Sequence, residues 1–175
     1  ISLLFSLGLF FSLVSTSIIA SDKLNTNSYY FFLKHLTFVS IGIILILLLS
    51  LLDQKILIKL SVILFFIAFV CLILVPLIGV EVKGSKRWLD IGSLPRFQPI
   101  ETLKPFFVII ISLIISLERK KLYIKYLFSS AVLLPIIILL LSQPDLGQSL
   151  LIIFVWLAII FVSGINLFLF AISLS

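Results

Sequence analysis

The chain has 175 residues, of which 62% are hydrophobic and only 11% are charged. Soluble domains average about 45–50% apolar and about 25% charged residues, so a soluble globule of this composition would lack the polar residues needed to cover its surface. Thirteen Lys and Arg residues against seven Asp and Glu residues give a net charge of +6. Because the basic residues are scattered between apolar segments, this excess indicates anionic lipid headgroups rather than nucleic acid. The sequence therefore predicts an integral membrane protein.

The apolar residues fall into segments of the length that crosses a bilayer, which is about 20 residues for a helix. The six candidate spans are Ile1–Ala20, Phe32–Leu52, Leu60–Val80, Gln98–Leu117, Tyr126–Ser142 and Gln148–Ile165, and a seventh begins at Leu167. The predicted fold class is all-α, a polytopic bundle of transmembrane helices that forms one membrane domain over residues 1–175. Since the chain contains no methionine and starts and ends within apolar runs, we expect it to be a fragment of a longer protein.

The connections between the spans decide the topology. Lys and Arg are spread almost evenly over the two sides of the membrane, so the positive-inside rule does not fix the orientation. The dense basic cluster within residues 118–125 favours a cytoplasmic position for that connection and for residues 53–59. Residues 81–97 and 143–147 then face the outside. Lys and Arg are usually more abundant on the cytoplasmic side of a membrane protein. Basic residues on the outer side therefore need a reason, and an anionic ligand would explain them.

The long connection carries the first candidate site, residues 84–92 with the sequence GSKRWLDIG. Arg87 offers a planar fork of donors that suits a phosphate group. Trp88 can lie at the level of the lipid headgroups with its indole N–H in water. The alternative is an interfacial loop in which Arg87 contacts lipid phosphates and Trp88 is only an anchor.

The second candidate site lies at the start of the following span. Gln98 and Pro99 open a helix, because proline at the first helical position loses no hydrogen bond. Glu101 and Lys104 follow three residues apart, so that they share a helix face and can form an ion pair. Ionisable groups inside a membrane-spanning segment usually face a bundle interior or a wet cavity. Alternatively, Lys104 extends outward to the water boundary.

The third candidate site is the tight turn at residues 143–147, with the sequence QPDLG. Asp145 either caps the next helix or lines the same cavity as Glu101 and Lys104, and both roles are compatible. With one histidine and one cysteine in the chain, the sequence predicts no zinc site. No cofactor is evident, and a requirement for a divalent cation is left open.

These motifs resemble the signatures of the SEDS family, the shape, elongation, division and sporulation proteins that include FtsW, RodA and SpoVE. The resemblance rests on LVPLIGVEV (74–82), GSKRWLDIG (84–92), RFQPIETLKP (96–105) and QPDLG (143–147), and it covers essentially the whole chain. Within the family, the sequence looks most like the FtsW division subfamily of alphaproteobacteria. Ile100 departs from the pattern, since the family usually has a small residue there; we expect this side chain to face lipid.

The resemblance implies a bundle of about ten helices in the inner membrane. The implied activity is a peptidoglycan glycosyltransferase that polymerises lipid II, whose carrier is undecaprenyl pyrophosphate, during cell division. The implied partners are a class B penicillin-binding transpeptidase and other division proteins. The catalytic aspartate of the family lies beyond Ser175, so the fragment alone is expected to be inactive. The residues that carry over to the family's outward-facing cavity are Arg87, Glu101, Lys104 and Asp145, with Trp88, Gln98 and Pro99 in support.

Three alternatives remain open from the sequence. The first is a RodA-like polymerase that acts in elongation rather than in division. The second is a flippase for lipid-linked precursors, in which the same charged side chains line a transport path. The third is a scaffold without enzymatic activity that recruits division proteins.

Overall fold

The structure is a computed structural model that describes residues 4–11, 30–82, 84–90, 92, 96–118 and 121–164. The chain divides into two compact units, Ile1–Leu57 and Ile58–Ser175. Most of the first predicted span and the start of the seventh, at Leu167, lie outside the described residues.

The first unit contains α1, of which residues 4–11 are described, and α2, Tyr30–Ser50. Nearly every described side chain of α2 is exposed, although the helix is almost entirely apolar. An apolar cavity of about 370 Å³ lies between the two helices and is lined by residues such as Phe5, Leu9 and Ile43. An apolar helix with exposed side chains is typical of a surface that faces lipid.

The second unit holds most of α3, Gln54–Ile78, followed by the strands β1, Val80–Val82, and β2, Ser85–Trp88. Three helices complete it: α4, Pro99–Ile115, α5, Leu122–Ser142, and α6, Leu146–Val162. Buried residues recur every three or four positions along these helices, which places them on one face of each helix. Its core is made by the side chains of Phe65, Leu72, Leu103, Phe107, Ile111, Ile136, Leu140 and Ile152.

The predicted spans are confirmed only in part. Among the described residues, three helices are long and apolar enough to cross a membrane: Phe32–Ser50, Gln54–Ile78 and Leu122–Ser142. Leu146–Val162 is apolar but shorter, and α4 has 17 residues. The structure therefore supports a multi-pass membrane protein, while the count of six spans stays a prediction.

One boundary in the sequence interpretation was wrong, and one element was missed. Residues 53–59 were expected to form a loop, yet α3 begins at Gln54, where the carbonyl of Asp53 accepts hydrogen bonds from the backbone N–H groups of Ile56 and Leu57. The early turns of a helix tolerate polar residues such as Gln54 and Lys55, because their side chains can reach water. The all-α prediction also missed a structured part of the 81–97 connection, where β1 and β2 form an antiparallel hairpin.

The hairpin follows from its local sequence. Gly84 has φ of +81°, a left-handed conformation that glycine adopts without steric cost. Val82 pairs with Ser85 and Glu81 pairs with Lys86, but Val80 pairs with Trp88. One step along β1 thus corresponds to two steps along β2, so Arg87 is the extra residue of a β-bulge. Bulges change the direction of a side chain relative to its strand.

A proline inside α3 fixes the contact between this helix and the turn that follows α5. Pro76 has no backbone N–H, so the carbonyl of Leu72, four residues earlier, lacks its helical partner. The side-chain amide of Gln143 donates to that carbonyl at 3.4 Å, and Gln143 is buried. The α5–α6 turn is therefore held against the end of α3, beside the hairpin.

Candidate functional site

The hairpin delivers Arg87 to the α5–α6 turn. One terminal nitrogen, Nη2, donates to the carbonyl of Pro144 at 2.6 Å, and the other, Nη1, lies 3.6 Å from Oδ1 of Asp145. The side chain of Arg87 is 34% exposed, whereas that of Asp145 is 8% exposed. The guanidinium therefore reaches from the surface to a buried carboxylate.

Asp145 is the centre of this end of the molecule. It is the N-cap residue of α6 and accepts a hydrogen bond from the backbone N–H of Gln148, which satisfies one of the free donors at a helix start. Its second oxygen, Oδ2, accepts from the side-chain amide of Gln98 at 3.2 Å. The predicted capping role is confirmed, and the same carboxylate also joins the hairpin to the start of α4.

Glu101 and Lys104 form the ion pair that their spacing predicts. The ammonium of Lys104 lies 2.7 Å from Oε2 of Glu101, and the two side chains are 21% and 51% exposed, respectively. The other oxygen of Glu101, Oε1, accepts from the side-chain amide of Gln148 at 2.9 Å. Lys104 is thus folded back onto Glu101 instead of extending outward, and the role of the pair in a cavity stays a prediction.

The result is one continuous polar network. It runs from Arg87 to Asp145, through the backbone and side chain of Gln148 to Glu101, and ends at Lys104. Three separate elements contribute to it, namely β2, the start of α4 and the start of α6. Two of its buried atoms have no hydrogen-bond partner, the Nε of Arg87 and the Oε1 of Gln148.

The structure brings together all four residues that the sequence selected as cavity residues: Arg87, Glu101, Lys104 and Asp145. Gln98 contacts them directly. Pro99 is the first residue of α4, as expected, and it is also buried. Trp88 takes part in the hairpin opposite Val80, and none of the side-chain hydrogen bonds among the described residues involves it.

Two sequence inferences need correction or addition. Ile100 was expected to face lipid, but it is 1% exposed and belongs to the hydrophobic core, because the face of α4 that carries Leu103 and Phe107 also carries Ile100. Gln148 was missed altogether. A Gln three residues after a cap predicts a side chain that turns back to its own helix start, whereas Gln148 contacts Glu101 on α4, so no local signal pointed to this contact.

The charges of the network balance, because each of its two cations is paired with a carboxylate, Arg87 with Asp145 and Lys104 with Glu101. Guanidinium and ammonium groups are the donors that proteins use to bind phosphate. Within the described ranges, no group of three His, Cys, Asp or Glu side chains lies close enough to hold a metal ion. A cavity of about 290 Å³ adjoins the network, lined by Glu81, Lys86, Gln143 and Pro144 together with nearby residues of the hairpin and α3.

Two curated relatives illustrate the likeness to known proteins, both described as "Probable peptidoglycan glycosyltransferase FtsW". The protein from Coxiella burnetii is 33% identical over 98% of this chain and 47% of its own length. The protein from Wigglesworthia glossinidia brevipalpis is 32% identical over 91% of this chain and 45% of its own length. The chain thus spans about half the length of the curated relatives it matches, and its affinity to the alphaproteobacterial subfamily stays a prediction.

Solved structures share the fold. The rod shape determining protein RodA of Thermus thermophilus superposes with a TM-score of 0.71 at 25% identity, over 95% of this chain and 56% of that protein. A structure described as "Structural coordination of polymerization and crosslinking by a peptidoglycan synthase complex" gives a TM-score of 0.68 at 26% identity, over 95% of this chain and 52% of the other. The family profile of the FtsW, RodA and SpoVE cell cycle proteins matches residues 1–175, and the chain belongs to that family.

Proposed function

We propose that this chain is part of a membrane-embedded peptidoglycan glycosyltransferase that polymerises lipid II into glycan strands during cell division. The observation that carries the proposal is the continuous network that joins Arg87 and Lys104 to Asp145 and Glu101 at one end of the helices. The descriptions of the curated relatives, which name the same activity, support it.

The chemistry explains why two cations are needed. In this reaction a sugar hydroxyl attacks an anomeric carbon, and a lipid-linked pyrophosphate leaves. The step requires a base for the hydroxyl proton and positive charge where negative charge develops on the leaving group. Arg87 and Lys104 supply the charge, Glu101 orients Lys104, and Asp145 holds Arg87. The family resemblance leaves the base to a residue beyond Ser175.

The site is assigned to the outer face of the bacterial cytoplasmic membrane. In this topology the hairpin end, with residues 81–97 and 143–147, is periplasmic, and residues 118–125 are cytoplasmic. The partners proposed for the complete protein are a class B penicillin-binding transpeptidase and other division proteins. The structural likeness to a complex that couples polymerisation and crosslinking supports the transpeptidase.

The proposed function is tested with the complete protein, purified and supplied with lipid II. Arg87→Ala is compared with Lys121→Ala, a control that removes one positive charge from an exposed residue at the start of α5, away from the network. Arg87→Ala is expected to lower the rate of glycan elongation at least about tenfold, as removal of a charged hydrogen bond does, while Lys121→Ala retains it. Equal rates for the two variants contradict the assigned site. Transport of labelled lipid II across liposomes without elongation identifies a flippase instead.

The topology is tested by labelling single cysteines with an impermeant reagent in spheroplasts. The native Cys71 is first replaced by serine, so that the reagent reports one position at a time. A cysteine placed at Lys86 is expected to react in intact spheroplasts, and one at Lys121 only after lysis. The opposite pattern reverses the orientation and removes the site from the outer face.

The cellular role is tested by depletion. Loss of the complete protein is expected to stop septation and give filamentous cells. Loss of rod shape with continued division assigns the elongation role.

A further inference from the structure

Gln148 lies between the two carboxylates of the network and is bonded to both. Its backbone N–H donates to Asp145 at 3.4 Å, and its side-chain amide donates to Glu101 at 2.9 Å. Because an ionised carboxylate only accepts hydrogen bonds, the NH₂ group of the amide faces Glu101 and the carbonyl oxygen faces away. The chemistry of the contact therefore fixes the direction in which Oε1 points.

That carbonyl oxygen is buried and has no partner. A buried acceptor without a hydrogen bond is costly, and native structures contain few of them. An unpaired buried donor, the Nε of Arg87, belongs to the same network. The guanidinium of Arg87 and the backbone N–H of Gln148 both approach Oδ1 of Asp145, so the two residues meet at one carboxylate. A free donor and a free acceptor on two residues of one network match a group that both donates and accepts, which is the property of a hydroxyl.

We propose that Gln148 is a specificity-determining residue: its amide nitrogen positions Glu101, and its carbonyl oxygen accepts a hydrogen bond from a hydroxyl of the sugar attached to the lipid pyrophosphate. The inference rests on the proposed function and deepens it, since Arg87 and Lys104 recognise the pyrophosphate, whereas Gln148 recognises what the pyrophosphate carries. The sugar hydroxyl supplies hydrogen bonds that these two atoms lack.

The test uses two probes and the complete protein in detergent. One probe is lipid II, and the other is undecaprenyl pyrophosphate, which lacks the sugars. The quantity measured is the ratio of the two dissociation constants. Both probes carry the pyrophosphate, so a change in the charge of the site alters both dissociation constants. This shared effect cancels in their ratio.

Three substitutions separate the two atoms of the amide. Gln148→Lys keeps a donor toward Glu101 but removes the acceptor, Gln148→Leu removes both, and Gln148→Glu keeps an acceptor but removes the donor. We expect Gln148→Lys and Gln148→Leu to reduce the preference for lipid II roughly tenfold, the effect of one hydrogen bond to a buried group. Gln148→Glu is expected to retain the preference within about twofold while slowing polymerisation, because it repels Glu101.

The matched control is Gln54→Leu, which makes the same substitution at an exposed glutamine at the start of α3; it is expected to leave the ratio unchanged. If Gln148→Lys and Gln148→Leu weaken both probes equally, the carbonyl does not contact the sugar and the inference is overturned. If wild-type protein binds neither probe, the proposed function itself fails. The two failures are therefore distinguishable.

Discussion

The two ends of the helical unit that holds α4, α5 and α6 use their charges differently. At the hairpin end, side chains from β2, α4 and α6 contact one another across the fold, and acids and bases alternate through the network. At the opposite end, the contacts fall between the end of α4 and α5. There the ammonium of Lys125 donates to the carbonyl of Ile115, the last residue of α4, at 2.8 Å.

This difference shows why a count of basic residues says little about a site. The cluster within residues 118–125 is denser in positive charge than the hairpin, yet its described members bond to backbone or are exposed. The hairpin end has the buried acid, Asp145. A buried carboxylate requires partners drawn from several elements, and those partners form a site.

The largest effect is expected from the Glu101–Lys104 pair, whose atoms lie 2.7 Å apart. Removing Glu101 leaves Lys104 without its acid, and removing Lys104 leaves Glu101 with only the neutral amide of Gln148. Glu101→Ala and Lys104→Ala are each expected to lower lipid II polymerisation by about 100-fold or more, the loss typical of a preorganised charge at a reacting group. Lys104→Arg should also be poor, because a planar fork does not replace a point charge.

The assay for this pair is the length and rate of glycan synthesis by purified complete protein, at matched recovery of folded material. Lys121→Ala, at the opposite end and exposed, serves as control for the loss of one positive charge. Near-normal chains from both Lys104→Gln and Glu101→Gln would remove the pair from the reaction and reduce the hairpin end to an ordinary polar surface.

A smaller effect on stability is expected at Asp145. Asp145→Ala removes both the cap of α6 and the counter-charge of Arg87, and we expect a loss of about 2–3 kcal/mol in the free energy of unfolding. Asp145→Asn can retain the cap through its carbonyl oxygen but removes the charge and the oxygen that accepts from Gln98, so about 1 kcal/mol is expected. Denaturant unfolding in detergent measures both, and equal losses would show that the cap contributes nothing beyond the charge.

How much of this end could be predicted from sequence depends on whether the interaction is local. The Glu101–Lys104 pair and the Asp145 cap follow from spacing along one helix, and both are confirmed. Ile100 was assigned to lipid because its outward or inward direction depends on which face of α4 packs against α3, α5 and α6. The bulge at Arg87 depends on the register between two strands, and the contact with Pro144 joins residues 57 positions apart; neither is visible in a local pattern.

The hydrogen bond from Gln143 to Leu72 tests whether the α5–α6 turn is held by the gap that Pro76 creates. Gln143→Leu leaves a buried carbonyl unpaired and is expected to cost about 1–2 kcal/mol. In a Pro76→Ala background the backbone N–H at position 76 satisfies that carbonyl, so the same substitution should cost less than about 0.5 kcal/mol. A double-mutant cycle measured by denaturant unfolding gives the coupling directly. Additive losses would show that Gln143 acts through other contacts.

The smallest effect is expected at the opposite end. The carbonyl of Ile115 is one of those that the end of a helix leaves without a helical partner, and Lys125 satisfies it while placing a positive charge at the negative end of the α4 dipole. Lys125→Met keeps the apolar stem and removes the ammonium, so a loss of about 0.5–1 kcal/mol in the free energy of unfolding is expected, with polymerisation unchanged. Lys121→Met is the matched control, because Lys121 makes no side-chain hydrogen bond as the N-cap of α5 and should lose nothing.

Since this end joins neighbouring helices and contributes no group to the network around Asp145, its substitutions should change stability alone. A Lys125→Met variant that folds normally but polymerises poorly would mean that the two ends are coupled, and the contrast between them would no longer hold.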